Sequence, residues 1–230
     1  MKNYFKTLVF ATALAFTFSS CKKKDVQPTA PLKSEIAVKI KSGNLVSQIV
    51  GAAGTKEVAS INWTTYNFPL KGVSFIGAKD DSTIPAIALL TKEFQFESNL
   101  KTNLLATFPI EVGNYSKTGY MLDIKGRTGN YLEISGVCNV NDFVYPIKFI
   151  CKEEIVTLAA CEDKTLKSGE KYSGDIVIDF DKLGTNITPL DLINVTYSAN
   201  NSILIDENNN PALYAKLKAN LSAIAHFSYN

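Results

Sequence analysis

Two kinds of hydrophobic pattern divide the chain. Near its start, residues 8–18 form an apolar run interrupted only by Thr12 and Thr17. From Glu35 onward, β-branched and aromatic residues alternate with polar ones in short stretches, broken by Gly, Asn and Asp clusters. Alternation with period two is the mark of a half-buried strand, and closely spaced turn signals favour a β-sandwich or barrel over βαβ units. The pattern predicts strands at 35–40, 57–66, 72–77, 94–97, 118–125, 131–139, 143–152, 155–158, 174–181 and 222–229.

One predicted hairpin can be tested against itself. A two-residue turn at Asn141-Asp142 pairs Leu132, Ile134, Gly136 and Cys138 with Cys151, Phe149, Ile147 and Tyr145. The opposite face sets Glu133 and Ser135 against Ile150 and Lys148. Both strands then agree on which side is the core, and such agreement specifies register. Two short helices are expected as well. Thr188-Pro189-Leu190-Asp191 combines a cap, a proline at the first helical position and an acid in the first turn. Asn210-Pro211 repeats the start signal, and Leu213, Leu217 and Leu221 follow as one apolar stripe suited to core packing.

The early apolar run has a different meaning. Met1-Lys2-Asn3-Tyr4-Phe5-Lys6 is a basic start, and Ser19-Ser20 places small residues directly before Cys21. These are the parts of an export signal, ending where a bacterial lipoprotein carries its lipidated cysteine. A spanning helix needs roughly 20 apolar residues, more than this run supplies. Phe18 stands where Leu is usual in a lipobox, so ordinary soluble export is the competing reading. The expected organisation is a signal at 1–20, a lipidated Cys21 with a polar, proline-containing tether over 21–34, and a β-sandwich domain over 35–230.

Charge narrows the partners. The formal +2 comes from Lys2 and Lys6; without them 22 basic residues of the 24 face 22 acidic ones. A balanced chain has no electrostatic footprint for nucleic acid. Its one basic cluster, Lys22-Lys23-Lys24, adjoins the anchor and is suited to lipid headgroups. Beyond Cys21 lie Cys138, Cys151 and Cys161, an odd number with no zinc-ligand spacing. In the hairpin register Cys138 and Cys151 stand roughly 20 Å apart, which disfavours a bond between them and leaves Cys161 able to reach either. Buried free thiols are the simpler expectation.

Phe108-Pro109-Ile110-Glu111-Val112-Gly113-Asn114-Tyr115, followed by the strand Tyr120-Met121-Leu122-Asp123-Ile124, resembles the corner of prealbumin-like, immunoglobulin-like and other Greek-key β-sandwich domains. With the candidate lipobox, the chain is similar to the β-sandwich lipoproteins of Bacteroidota-type outer membranes. The resemblance implies an outer-membrane location, on the surface or the periplasmic face, and a binding or adhesive role. Tyr115 and Tyr120 flank the corner and are the candidate ligand-contact residues.

Catalytic constellations are weaker. His226 is the only histidine, which excludes multi-histidine metal sites. Asp175, Asp179 and Asp181 share one face of a predicted strand, opposite Ile176, Ile178 and Phe180; carboxylates so spaced suit a hydrolase, but the pattern is that of a strand with one wet face. Asp206-Glu207-Asn208-Asn209-Asn210 begins like a calcium loop yet has Pro211 where glycine is needed and Leu217 where a carboxylate is needed. Gly51-Ala52-Ala53-Gly54-Thr55-Lys56 has the ingredients of a phosphate loop in the wrong order. Trp63 differs in parity from Tyr66 and Phe68, so a regular strand cannot present all three outward as a sugar platform.

The expected protein is therefore mainly β: an antiparallel Greek-key sandwich with one or two short helices behind a lipid anchor. It is expected to use no cofactor, metal or catalytic residue. Its partners are the membrane, through Cys21, and a glycan or an envelope protein. The leading function is a binding or adhesion module, followed by an accessory subunit of an envelope assembly acting by strand addition, and then by a carboxylate-based hydrolase.

Overall fold

The computed structural model describes residues 32–51, 58–80, 82, 85–90, 93–98, 103–125, 129 and 131–230. These all fall in the unit Pro31–Asn230. The candidate signal, Cys21, the Lys22–Lys24 cluster and most of the phosphate-loop-like segment lie outside the described residues.

The chain is mainly β, with few helices. In order it forms β1 (Lys33–Ser42), β2 (Val46–Val50), β3 (Val58–Lys79), β4 (Pro85–Leu90), β5 (Phe94–Glu97), β6 (Asn103–Glu111), β7 (Gly113–Ile124), β8 (Leu132–Val140), β9 (Phe143–Cys151), β10 (Ile155–Ala160), β11 (Lys164–Leu166) and β12 (Lys171–Ile178). A 3₁₀ turn (Phe180–Gly184), α1 (Pro189–Ile193), β13 (Ile203–Ile205), α2 (Pro211–Asn220), a second 3₁₀ turn (Leu221–Ala223) and β14 (Ala225–Tyr229) complete it. The strands join one large sheet in the order β13-β9-β8-β3-β7-β10-β14-β12-β1-β6, with β2, β4 and β5 also pairing along the length of β3 and β11 pairing with β7.

This sheet is mixed, where the alternation predicts antiparallel pairing throughout. β1 runs parallel to β12, β10 to β14, and β13 to β9. Parallel neighbours need long connections, and the chain supplies them. Between β10 and β14, for example, lie both helices. Side-chain alternation reports which face is buried, not strand direction.

β3 runs through the middle of the sheet and merges two predicted strands into one of 22 residues. It does so by changing its buried parity twice. Trp63 pairs with Gly136 but Thr65 with Ser135, so Thr64 is an extra residue. Leu70 pairs with Ile124 but Gly72 with Asp123, so Lys71 is another. Each such bulge shifts the inward face by one position. Trp63, then Tyr66, Phe68 and Leu70, then Val73 and Phe75 are consequently all buried. Gly136 makes the first bulge possible: a Cβ there would lie 2.2 Å from the Asn62 carbonyl oxygen.

The β8–β9 hairpin has the predicted register, from Leu132 opposite Cys151 to Val140 opposite Phe143. Its turn residues Asn141 and Asp142 have φ of 46° and 68°, the left-handed pair that a tight hairpin of this hand requires. Cys138 and Cys151 are buried and, like Cys161, free. α1 starts with a reciprocal cap: the Asp191 N–H donates to Thr188 Oγ1, and the Thr188 N–H donates to Asp191 Oδ2. Leu213, Leu217 and Leu221 face the core. Asn210 departs from its expected capping role. Its side chain instead accepts from the Thr196 N–H and donates to the Thr196 and Leu204 carbonyls, tying the loop before β13 to the start of α2.

The core closes around an aromatic cluster. The Tyr66 ring lies 5.0 Å from Phe96 and 4.7 Å from Phe180, and Phe68 meets Phe180 edge-on at 5.8 Å. Beside it, the Trp63 indole donates to Ser47 Oγ at 3.0 Å, and Ser47 donates to the Phe180 carbonyl at 2.7 Å.

Candidate functional site

A third bulge, in β7, builds the site. Ile76 pairs with Gly119 and Ala78 with Ser116, so β7 carries one extra residue there. Lys117 takes it up with φ of 51°. Downstream of the bulge β7 pairs with β10; upstream of it, β11 lies against the strand, with Lys164 opposite Tyr115 and Thr165 opposite Asn114. A pocket of about 280 Å³ opens between these strand ends, lined by Asn114, Tyr115, Ser116, Asp163, Lys164 and Thr165.

Several of its groups are held by hydrogen bonds within the chain. Asp163 Oδ1 accepts from the Lys117 N–H at 3.0 Å, and Asn114 Oδ1 accepts from Thr165 Oγ1 at 2.8 Å. The Asn114 main chain is clamped by Asp80, whose carboxylate accepts from the Asn114 N–H at 2.9 Å. The Lys164 ammonium lies 4.4 Å from the centre of the Tyr229 ring and 5.3 Å from that of Tyr172, a cation–π contact. Among the described residues neither Asp163 nor Lys164 has an ion-pair partner.

Of the two candidate contact residues, one reaches this pocket. Tyr115 lines it, but is only 2% exposed. Its hydroxyl donates to the Glu111 carbonyl at 3.0 Å, its ring meets Phe75 edge-on at 5.6 Å, and burial pushes its pKa up. Tyr120 belongs to the core instead. It is 0% exposed, with its ring 5.5 Å from Phe75 and 4.5 Å from Phe227. It alternates regularly with buried Leu122 and Ile124, and the Lys117 bulge is what lets Tyr115, an odd number of positions away, share that inward face. The Tyr120 hydroxyl finds no hydrogen-bond partner among the described residues, and burial drives its pKa far upward.

The other constellations are drawn apart. β12 ends at Ile178, so Asp179 and Asp181 leave the strand that was expected to align them with Asp175. Asp175 pairs with Lys41 at 2.6 Å, Asp179 with His226 at 2.9 Å, and Asp181 with Lys182 at 3.5 Å. Asp206 spends Oδ1 on the N–H groups of Asn208 and Asn209 and on the Asn209 amide, which makes a turn of the calcium-like segment. Trp63, Tyr66 and Phe68 are all core. Among the described residues no group of three or more His, Cys, Asp or Glu is placed to hold a metal ion, and no helix is long and apolar enough to cross a membrane.

Sequence reasoning reached Tyr115 and missed Asn114, Asp163, Lys164 and Thr165. The last two sit on a three-residue strand, too short to show alternation, and only its pairing with β7 brings them to the pocket. No protein-family model, no curated protein and no solved structure matches this chain.

Proposed function

We propose that this chain is an exported lipoprotein of a bacterial outer membrane, acylated on Cys21, whose β-rich body is a non-enzymatic binding or adhesion module. In this reading the body is a Greek-key sandwich held off the bilayer by the polar residues between Cys21 and β1, and its ligand is a glycan or an envelope protein. The observation that carries the binding role is the β7–β11 pocket of about 280 Å³, whose lining includes the polar residues Asn114, Ser116, Asp163 and Thr165. Small recognition sites are concave and carry a few placed polar groups. The N-terminal pattern supports the anchor.

Membrane fractionation of Cys21→Ala tests the anchor, with release into the soluble fraction expected; persistent membrane attachment refutes it. Protease shaving of intact cells, with a periplasmic control, then assigns the face. Adhesion requires loss of the protein while the control survives.

A second reading has its own observation. β6 ends the strand order and, among the described residues, pairs only with β1, leaving a nine-residue edge on which Leu104 is 59% exposed. Such an edge suits strand addition by an envelope partner. Crosslinking through a cysteine placed at Thr107 would trap that partner, and a chain that stays uncrosslinked in cells argues against the assembly role.

A further inference from the structure

Building on the reading that the β7–β11 pocket is the ligand site, we propose that it binds the primary ammonium group of an aminoethanol unit. The two faces of the β7–β11 ribbon decide which side chains reach a ligand. Tyr115 and Lys164 are cross-strand partners, so their side chains share one face. On that face Tyr115 packs against Phe75, and the Lys164 ammonium lies over Tyr229 and Tyr172. Asn114 and Thr165, the next pair along the ribbon, point to the other face. With Ser116 and Asp163 they bring their polar side chains to the opening.

Charge then selects the ligand. Of the residues lining this face, only Asp163 carries a charge, and it has no ion-pair partner among the described residues. Asp80, whose carboxylate holds the Asn114 N–H, adds negative charge beside it. Donors that would attract an anion are engaged within the chain. The Lys117 N–H is on Asp163 Oδ1, the Asn114 N–H on Asp80, and the Thr165 hydroxyl on Asn114 Oδ1. Asp163 Oδ2 is left as a charged acceptor, with the Ser116 and Thr165 hydroxyl oxygens as neutral ones. A primary ammonium brings three N–H donors and a positive charge, and its bond to a carboxylate is roughly twice as strong as a neutral hydrogen bond. Calcium needs about six to eight oxygen ligands, and among the described residues no three His, Cys, Asp or Glu are grouped to hold a metal. A quaternary ammonium has no N–H to donate and meets no aromatic cage, because the ring of Tyr115 is buried.

The other end of the pocket fixes what accompanies the ammonium. Asn114 Oδ1 accepts from Thr165, so Asn114 Nδ2 is the donor left to a ligand. Asp163 lies two positions from Thr165, the partner of Asn114, which sets the carboxylate and the amide roughly 7 Å apart at strand rise. With a hydrogen bond of about 2.9 Å at each end, a nitrogen and an oxygen joined through two carbons bridge the gap. Free ethanolamine and the headgroup of an ethanolamine phospholipid share this unit.

The test uses the full-length protein in a non-ionic detergent, followed by amide ¹H–¹⁵N spectra. The probes are ethanolamine, choline, glycerol, inorganic phosphate and calcium. Ethanolamine is expected to shift the amides of residues 114–117 and 163–165, with Kd on the order of 1–10 mM for so small a ligand, and choline to leave them in place. Asp163→Asn keeps the acceptor for the Lys117 N–H and removes the charge, so it is expected to weaken binding at least about tenfold with Tm unchanged. Glu162→Gln removes the same charge one residue outside the lining and is expected to leave Kd within about twofold. Dihexanoyl phosphatidylethanolamine, with the choline lipid as control, separates the two sources. Tighter binding than ethanolamine assigns the site to a lipid headgroup, and weaker binding assigns it to the free amine.

Glycerol, phosphate or calcium moving these amides while ethanolamine does not overturns the amine assignment and leaves the pocket standing as a ligand site. Choline binding as well as ethanolamine, or ethanolamine shifts that ignore Asp163→Asn, also overturn it. Silence of the pocket amides toward every probe removes both readings.

Discussion

Ser47→Ala removes one hydroxyl and strands two buried groups. In the native chain the Trp63 indole N–H donates to Ser47 Oγ at 3.0 Å, and the Ser47 hydroxyl donates to the Phe180 carbonyl at 2.7 Å. Ser47 and Trp63 are both 0% exposed, so no bulk water replaces the lost partner. A buried donor or acceptor left unpaired costs about 1–3 kcal/mol. Two such groups, less the desolvation of the hydroxyl no longer buried, give a loss of about 2–4 kcal/mol.

In a chain of this size that corresponds to a fall in Tm of roughly 5–12 °C. The assay is built into the protein, because Trp63 is its one tryptophan. Urea titration followed by indole fluorescence reports the unfolding of the residue whose bond has been cut. Trp63→Phe and the double variant complete a cycle, in which Ser47→Ala should cost much less once the indole donor is absent. A Ser47→Ala loss below about 0.5 kcal/mol, within the range of ordinary surface changes, would refute the relay as a structural link between β2, β3 and the 3₁₀ turn.

Gly136→Ala should destabilise by about 2–3 kcal/mol or more, since its Cβ would lie 2.2 Å from a backbone oxygen; an unchanged urea midpoint would mean that the Thr64 bulge is not where β3 turns its face. Tyr120→Phe should be neutral or raise stability by about 1–2 kcal/mol, because it deletes a buried hydroxyl with no partner among the described residues, and a clear loss by calorimetry would reveal a bond to that oxygen. The hydrogen bond from Lys41 holds the Asp175 carboxyl below its usual range, against the opposing effect of burial. Its contribution is therefore complete above the ordinary carboxylate pKa of about 3.9 and is lost as pH falls through the depressed value. Urea midpoints from pH 7 down to acid should decline less steeply in Asp175→Asn, and parallel profiles would disprove the linkage. Burial pushes the Cys138 thiol up to about 12, so iodoacetamide at pH 8 should leave it unmodified in the folded protein and label it in urea. Rapid native labelling, read by peptide mass spectrometry, would contradict its burial.

How much of this was legible in advance depended on the range of the interaction involved. The β8–β9 hairpin was readable because both its strands are regular and its turn is two residues long, so parity carries unchanged from Leu132 to Cys151. The cap on α1 was readable because Thr188 and Asp191 need only each other. The leucine stripe from Leu213 to Leu221 was readable because helical spacing alone sets its face. Parity failed at Thr64, Lys71 and Lys117, and with it went the placement of Trp63 against Tyr66.

A bulge is settled by what the partner strand offers. Gly136, far along the chain, leaves room for the backbone to step at Trp63 and Thr64, and no local pattern in 63–66 announces it. The short strand β11 and the parallel neighbours of β1, β9 and β10 are decided in the same way, by the chains already beside them. So the alternation of residues determined by itself that this protein would be built of strands, and which positions the regular ones would bury. Only the tertiary structure decided where strands break step and how the polar groups around Tyr115 come together, because backbone pairing across long separations sets the register in which side chains meet.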